Sequence, residues 1–298
     1  MPAGSRKQLA HDICRLHLLR GMQRLRRAVC DSLRLSWFPS MRLSIHALLD
    51  YLIEDEADIL LQIEAAADAA SQHVIDGGIT ASTTLRPAPV AAGIGQRSWA
   101  RATGPFRAEY RATVEVERPS VDIAGLPATP HHALPGDAVP FLWPSRYCQS
   151  DQFTRFVADT FSALTDGARI LAMADWIHTQ LSYVPGSSDA GTSAADTFLS
   201  RKGICRDYAH LLISFARAAG IPARMVSAYA WALEPQDFHA VTEVWLDGGW
   251  HMIDATRMAP VEGLVPIIAG RDATDIAFMT IFGRGVLREQ AVTVERLD

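Results

Sequence analysis

GICRDYAHLLISFARAAGIPAR, residues 203–224, decides the reading of this chain. Leu212, Phe215, Ala216 and Ala219 recur at helical spacing. Gly220 followed by Ile221-Pro222 ends the run, because Gly accepts the left-handed C-terminal position and Pro cannot continue the ladder. Gly203 reads as a bend that delivers the chain into the helix, which puts Cys205 at or just before its N-terminus. The unpaired N–H groups there carry partial positive charge and favour thiolate over thiol. The stretch is either the seat of a nucleophile or of a buried small hydrophobe, and the flanking sequence has to separate the two.

Beyond the helix the period changes from 3.6 to 2. ARMVSAYAW (223–231) reads as a strand, and HAVTEVWL (239–246) and WHMIDA (250–255) flank Asp247-Gly248-Gly249, a hairpin turn. In such a hairpin, residues near 240 and near 256 lie roughly opposite one another, so His239 and Asp254 are expected as cross-strand or diagonal neighbours. A thiol attacks an acyl carbon as thiolate, a histidine within reach makes it one and later protonates the leaving group, and a third group orients that histidine. Cys205, His239 and Asp254 supply these types in that order. Taken singly they are commonplace as a core thiol, a surface histidine and a turn aspartate. It is their combination with a helix start and a hairpin that favours the catalytic reading.

The other polar residues near the cysteine divide more plainly. Asp207 is expected to be structural, and His210, about 140° round an ideal helix from Cys205, to make a core hydrogen bond. Glu243 shares a strand face with His239 and is expected to line the cleft or pair with Arg206 or Arg224. The Cys205 backbone N–H is the natural first oxyanion donor, with Trp176 and Tyr183 as weaker candidates for a second. His131-His132 reads as a solvated loop pair, and no second cysteine or His-x-Glu pairing accompanies Cys205, so neither a metal nor a cofactor is expected.

Taken together, GICRDYAHL (203–211), GIPAR (220–224) and HAVTEVWLDGGWHMIDAT (239–256) resemble the bacterial transglutaminase-like superfamily. More narrowly they are similar to its cysteine peptidases with an N-terminal β domain. The specific motifs cover about 196–285. The resemblance implies an α+β fold: a papain-like core of helices packed on an antiparallel sheet, with an N-terminal all-β accessory domain. It implies Cys205 as nucleophile, His239 as base and acid and Asp254 as orienter, acting on a protein or peptide substrate. One departure stands out: Val241 occupies the position where the family often has Trp, which questions the shape of the pocket more than the chemistry.

The whole chain sets the remaining limits. With 298 residues, 49% of them apolar, 20% charged and a net charge of −5, it reads as one or two ordinary globular domains with no basic surface for nucleic acid. No apolar run approaches the roughly 18 residues of a membrane span, so no integral membrane segment is expected. Cys14, Cys30, Cys148 and Cys205 are irregularly spaced, which fits free thiols in a reducing, cytoplasmic setting.

Residues 1–40 form a basic extension in which eight Lys or Arg face two Asp, either an amphipathic helix or a poorly ordered segment. Residues 41–128 are read as the β domain, with MRLSIHALLDYLI (41–53) and ADILLQIEAA (57–66) as strands joined by an acidic turn at Glu54-Asp55-Glu56. EYRATVEVERP (109–119) alternates Tyr110, Ala112, Val114 and Val116 with polar residues, as a half-exposed strand does. Residues 129–298 are read as the catalytic domain, including a Pro-rich connector whose Phe141, Leu142, Trp143 and Tyr147 need burial. Its helices carry Phe153, Phe156, Val157, Phe161 and Leu164, then Ile170, Met173, Ile177 and Leu181, and Asp196 caps a short third one.

The expected function is acyl transfer from an amide or peptide bond through an acyl-enzyme. Hydrolysis is favoured, because cross-linking needs a site that excludes water and no insertion supplies one. Transfer to an amine, as in a transglutaminase, is the alternative, and a catalytically silent protein-binding module is the alternative from another class.

Overall fold

In the computed structural model, which describes residues 40–88 and 94–298, the apolar alternation along 41–66 produces one long strand. The basic segment 1–39 lies outside the described residues. Strand β1 (Met41–Leu61) buries Leu43, Ile45, Ala47, Leu49 and Ile53, and then Ala57, Ile59 and Leu61. Between Ile53 and Ala57 its register shifts against β4 (Ser98–Val116), so the acidic trio expected as a turn is a bulge inside the strand. Arginines from neighbouring segments neutralise it: Arg284 reaches Glu54 at 3.2 Å and Asp55 at 3.0 Å, and Arg101 reaches Glu56 at 2.9 Å. These exposed pairs add little energy, and the buried face sets the register. β2 (Gln72–Ala81) and the two-residue β3 (Arg86–Pro87) complete this half, and Tyr110, Ala112, Val114 and Val116 of β4 are buried as the alternation predicts.

The chain then runs through α1 (Thr154–Phe161), α2 (Asp166–Gln180), β5 (Ser182–Tyr183), α3 (Ala194–Ser200), β6 (Lys202–Gly203) and α4 (Cys205–Ala218). It continues through β7 (Ala223–Ala230), β8 (His239–Leu246), β9 (Gly249–Ile253), β10 (Leu264–Gly270), α5 (Ala273–Ile276), β11 (Met279–Phe282) and β12 (Gly285–Arg296). A four-stranded antiparallel sheet of order β10-β7-β8-β9 carries α4, whose Leu211, Leu212, Phe215 and Ala216 are buried. Gly220 takes φ +76° after the helix, as expected of a C-terminal glycine. Phe156, Trp176, Phe198 and Phe215 pack ring on ring among α1 to α4, so Trp176 is core. No helix among the described residues is long and apolar enough to cross a membrane.

The other sheet corrects the expected division at residue 128. Its order is β11-β1-β4-β2, and β12 also pairs with β1, from Leu43↔Arg296 to Ile53↔Gly285. The last two strands therefore belong with the first, not with the four-stranded sheet that carries α4. The reason lies in β1, whose second edge would otherwise present unpaired backbone groups to solvent. Val292 and Val294 of β12 complete the apolar layer. The two sheets also share a core. Tyr110 and Tyr229 stack at 6.1 Å, the Tyr110 hydroxyl accepts from the Ala65 N–H at 3.1 Å, and the Gln72 side-chain amide donates to the Pro266 carbonyl at 3.0 Å.

Three local expectations also change. Ser193, not Asp196, is the N-cap of α3; Asp196 answers it from the third helical position in a capping box. Leu164 lies beyond the end of α1 and is exposed. Trp143 is 59% exposed, since the fold uses its carbonyl, which accepts from Arg217 Nη1 at 3.0 Å, and not its ring.

The connector is sewn to the start of α2: the Gly167 N–H donates to the Leu126 carbonyl at 3.0 Å, and a Cβ at Gly167 would lie 1.7 Å from the Ile123 oxygen. Gly167→Ala is therefore expected to destabilise the chain by about 3 kcal/mol or more in urea unfolding. Gly136→Ala, where the added carbon meets nothing within 4 Å, should stay within about 0.5 kcal/mol of wild type.

Candidate active site

Cys205 is the first residue of α4 and is partly exposed. The helix start is fixed by Asp207, which is buried and accepts from the Ile204 N–H at 2.8 Å, as its structural reading anticipated. Gly203 is needed for close approach and not as a bend, since a Cβ there would stand 2.6 Å from the Asp207 Cβ. Arg206 is held by Asp207 at 3.2 Å and by the Asp189 carbonyl at 2.7 Å.

The hairpin turn takes φ 47° at Asp247 and 76° at Gly248, the two positive values a tight two-residue connection requires. The resulting register pairs Thr242 with Ile253 and leaves His239 and Asp254 diagonal to one another at the mouth of the ladder. His239 Nε2 lies 3.0 Å from Asp254 Oδ2. The carboxylate is fully engaged. Oδ1 accepts from the Thr256 N–H at 2.9 Å and its hydroxyl at 2.7 Å, and Oδ2 also accepts from the Ala259 N–H at 3.2 Å.

With Nε2 given to Asp254, Nδ1 is left for the thiol of Cys205, which interacts with this ring. Burial disfavours the imidazolium, but Asp254 and Cys205 outweigh it and push the His239 pKa up to about 10. Burial acts to raise Asp254, and His239 and Thr256 overcome it to hold the carboxyl below its ordinary value. The structure thus brings together all three residues singled out in the sequence.

They open on a cleft of about 590 Å³, walled by Met225, Leu233, Phe238, Met258, Ile276 and Phe278. Gln290 of β12 enters this cleft and donates to Asp237 at 2.6 Å. Next to Asp237, Gln236 accepts from the Val294 N–H at 2.8 Å and donates to the Val294 carbonyl at 3.2 Å. The loop that leads into His239 is therefore clamped to the N-terminal sheet. Sequence reading missed this, because nothing local marks Gln290 as a neighbour of Asp237. Thr256 was missed too, although Asp-x-Thr is a spacing at which a carboxylate caps the backbone two residues on.

His210, Glu243 and His131 fall outside the cleft. His210 is buried, stacks on Tyr147 and accepts from the Ala273 N–H at 3.1 Å; burial pulls its pKa down to about 3. Glu243 pairs with Arg224 at 2.6 Å. His131 meets the Gly220 carbonyl at 2.8 Å. Val241 is buried with Val226, Leu233 and Leu264 in a small core behind the site, so the departure from Trp falls on packing. Cys148 is buried, which drives its thiol up to about 12, while Cys14 and Cys30 lie outside the described residues.

These shifts fix a pH dependence of stability. The folded-state pKa of His239, about 10, exceeds its ordinary 6.5, so its contribution is whole below about 6.5 and is lost as pH climbs towards about 10. The Asp254 contribution is present above the ordinary carboxylate value and is lost as pH falls below it. The wild-type melting temperature is expected to fall between about pH 7 and pH 10, and His239→Gln to flatten that part of the profile. Calorimetry on both proteins across this range checks it.

Comparison with known proteins agrees with this fold. The Transglutaminase-like superfamily profile matches residues 155–255. The crystal structure of a putative cysteine protease from Cytophaga hutchinsonii superposes with a TM-score of 0.83 at 36% identity, over 87% of this chain and 91% of that one. An uncharacterized protein of Mycobacterium leprae is 31% identical over 119 residues, 36% of this chain and 42% of that protein. A protein-glutamine gamma-glutamyltransferase of Pseudomonas aeruginosa is 34% identical over 110 residues, 31% of this chain and 16% of that protein. The chain thus spans about two fifths or less of the curated relatives it matches. With the fold, the helix-start cysteine and the hairpin all in place, this chain belongs to the transglutaminase-like superfamily.

Proposed function

We propose that the protein is a cysteine peptidase or amidase that works through an acyl-enzyme on Cys205. The observation that carries this reading is a helix-start thiol facing a buried, fully hydrogen-bonded His239–Asp254 pair in an open cleft. The thiolate attacks the carbonyl carbon of an amide, His239 gives its proton to the departing amine, and the same histidine then takes a proton from the water that releases the acid. Asp254 fixes the tautomer and orientation of the ring throughout.

Water as acceptor is supported by the exposure of the rim, where Tyr183 is 39% accessible, so the acyl-enzyme stands within reach of solvent. The likeness to the Cytophaga protein points the same way. Transfer to an amine is the second reading, favoured by the name of the Pseudomonas relative over its shorter match. A protein or peptide substrate and a cytoplasmic setting are part of the proposal; the free thiols of Cys148 and Cys205 suit the latter.

Iodoacetamide alkylation across about pH 4–9, with the modified cysteine mapped, tests the nucleophile. Cys205 is expected to react far faster than Cys148, and His239→Ala to slow it by on the order of 10²-fold or more. If Cys205 reacts no faster than a free thiol and His239→Ala leaves its profile unchanged, the activated-nucleophile reading is lost. A peptide and glutamine-substrate screen with and without an added primary amine separates the acceptors: hydrolysis without amine incorporation is the expected result.

A further inference from the structure

The mechanism needs a second donor for the developing oxyanion, and Trp176 has gone into the core. Tyr183 has not. Its backbone is fixed beside the nucleophile: β5 lies parallel to β6 in the register Tyr183↔Gly203, with Ser182 N–H to the Arg201 carbonyl at 2.9 Å and Val184 N–H to the Gly203 carbonyl at 3.0 Å. Gly203 is two residues before Cys205. The Tyr183 ring rests on Tyr208 of α4, their centroids 6.0 Å apart, and its edge lines the cleft. Tyr183 and Cys205 line the same cleft, close enough for the Cys205 charge to act on the Tyr183 hydroxyl.

Three other side-chain donors at this cleft are already committed: the Tyr147 hydroxyl donates to the Ala190 carbonyl at 2.7 Å, Arg206 to Asp189 and Asp207, and Gln290 to Asp237. Resting on the acyl-transfer reading above, we infer that the Tyr183 hydroxyl is the second oxyanion donor, partnering the Cys205 backbone N–H.

A substrate carbonyl oxygen seated in the cleft receives the Cys205 N–H, and the neighbouring Tyr183 hydroxyl turns its own proton towards the same oxygen. The ring is 39% exposed, so its hydroxyl is free to reorient. As the S–C bond forms, the carbonyl π pair moves onto oxygen between the two donors. As it returns, the C–N bond breaks and the amine leaves with the His239 proton. Tyr183 neither gains nor loses a proton in either step. Burial and the neighbouring Cys205 charge push its pKa up to about 12, so it remains a donor wherever a thiolate is present.

The test uses the full chain with p-nitrophenyl acetate as acylating probe and Tyr183→Phe, which keeps the ring on Tyr208. The expected result is a kcat lower by on the order of 10²-fold with KM within about threefold of wild type. Alkylation of Cys205 by iodoacetamide, a displacement that forms no oxyanion, should stay within about threefold, which a fold defect would not allow. A kcat that is unchanged or raised makes the hydroxyl a mere plug and overturns the inference. A kcat and an alkylation rate that fall together overturn it as well, since Tyr183 would then act through the thiol. If wild type turns over the ester no faster than Cys205→Ala, the acyl-transfer reading itself fails, a result distinct from either.

Discussion

A carboxylate taken out of water must receive all its hydrogen bonds from protein, and that requirement shapes the site. Asp254 is 8% exposed and His239 2%. Removing either alone would strand its partner without compensation, a cost of several kcal/mol for a buried charge. The fold meets the requirement locally, with Thr256 and Ala259 turning back onto Asp254 just after β9. The hairpin then has to hold β8 in register, and the aspartate-glycine turn does so by accepting two positive φ values that few other residue pairs would tolerate.

The same logic extends outward through other buried polar groups. Arg217 is 4% exposed and donates to the Ala223, Trp143 and Arg271 carbonyls and to Ser145, tying the end of α4 to the connector and to the chain after β10. Arg224 and Glu243 face each other across β7 and β8. Such groups add modest net stability but fix which elements can be neighbours, because any other arrangement leaves them unpaired. The apolar core supplies the energy of burial, and this network makes the arrangement unique.

How much was legible follows from the range of each signal. The helix start at Cys205, its glycine stop at 220 and the hairpin around 247–248 rest on local rules of period and turn chemistry, and each appears where expected. His239 and Asp254 were legible because a hairpin turns sequence spacing into distance. The errors are of another kind. The acidic trio 54–56 reads as a turn until Arg101 of β4 and Arg284, between β11 and β12, arrive from far along the sequence. Gln290 and Gln236 act across gaps that no local window spans. The division at 128 failed for the same reason: alternation shows that a segment is a strand, not which strand it will join.

The pairing of β12 with β1 changes what can be done with this molecule. Leu297 and Arg42 share a backbone hydrogen bond at 2.9 Å, so the two ends of the described unit run side by side. A fragment cut at the apparent domain border would carry two orphan strands with open edges, prone to pair with one another between molecules. It would also leave the loop before His239 without its anchor. The part that carries the cleft is better isolated by joining the ends and reopening the chain at an exposed loop elsewhere, since circular permutation keeps every ladder intact.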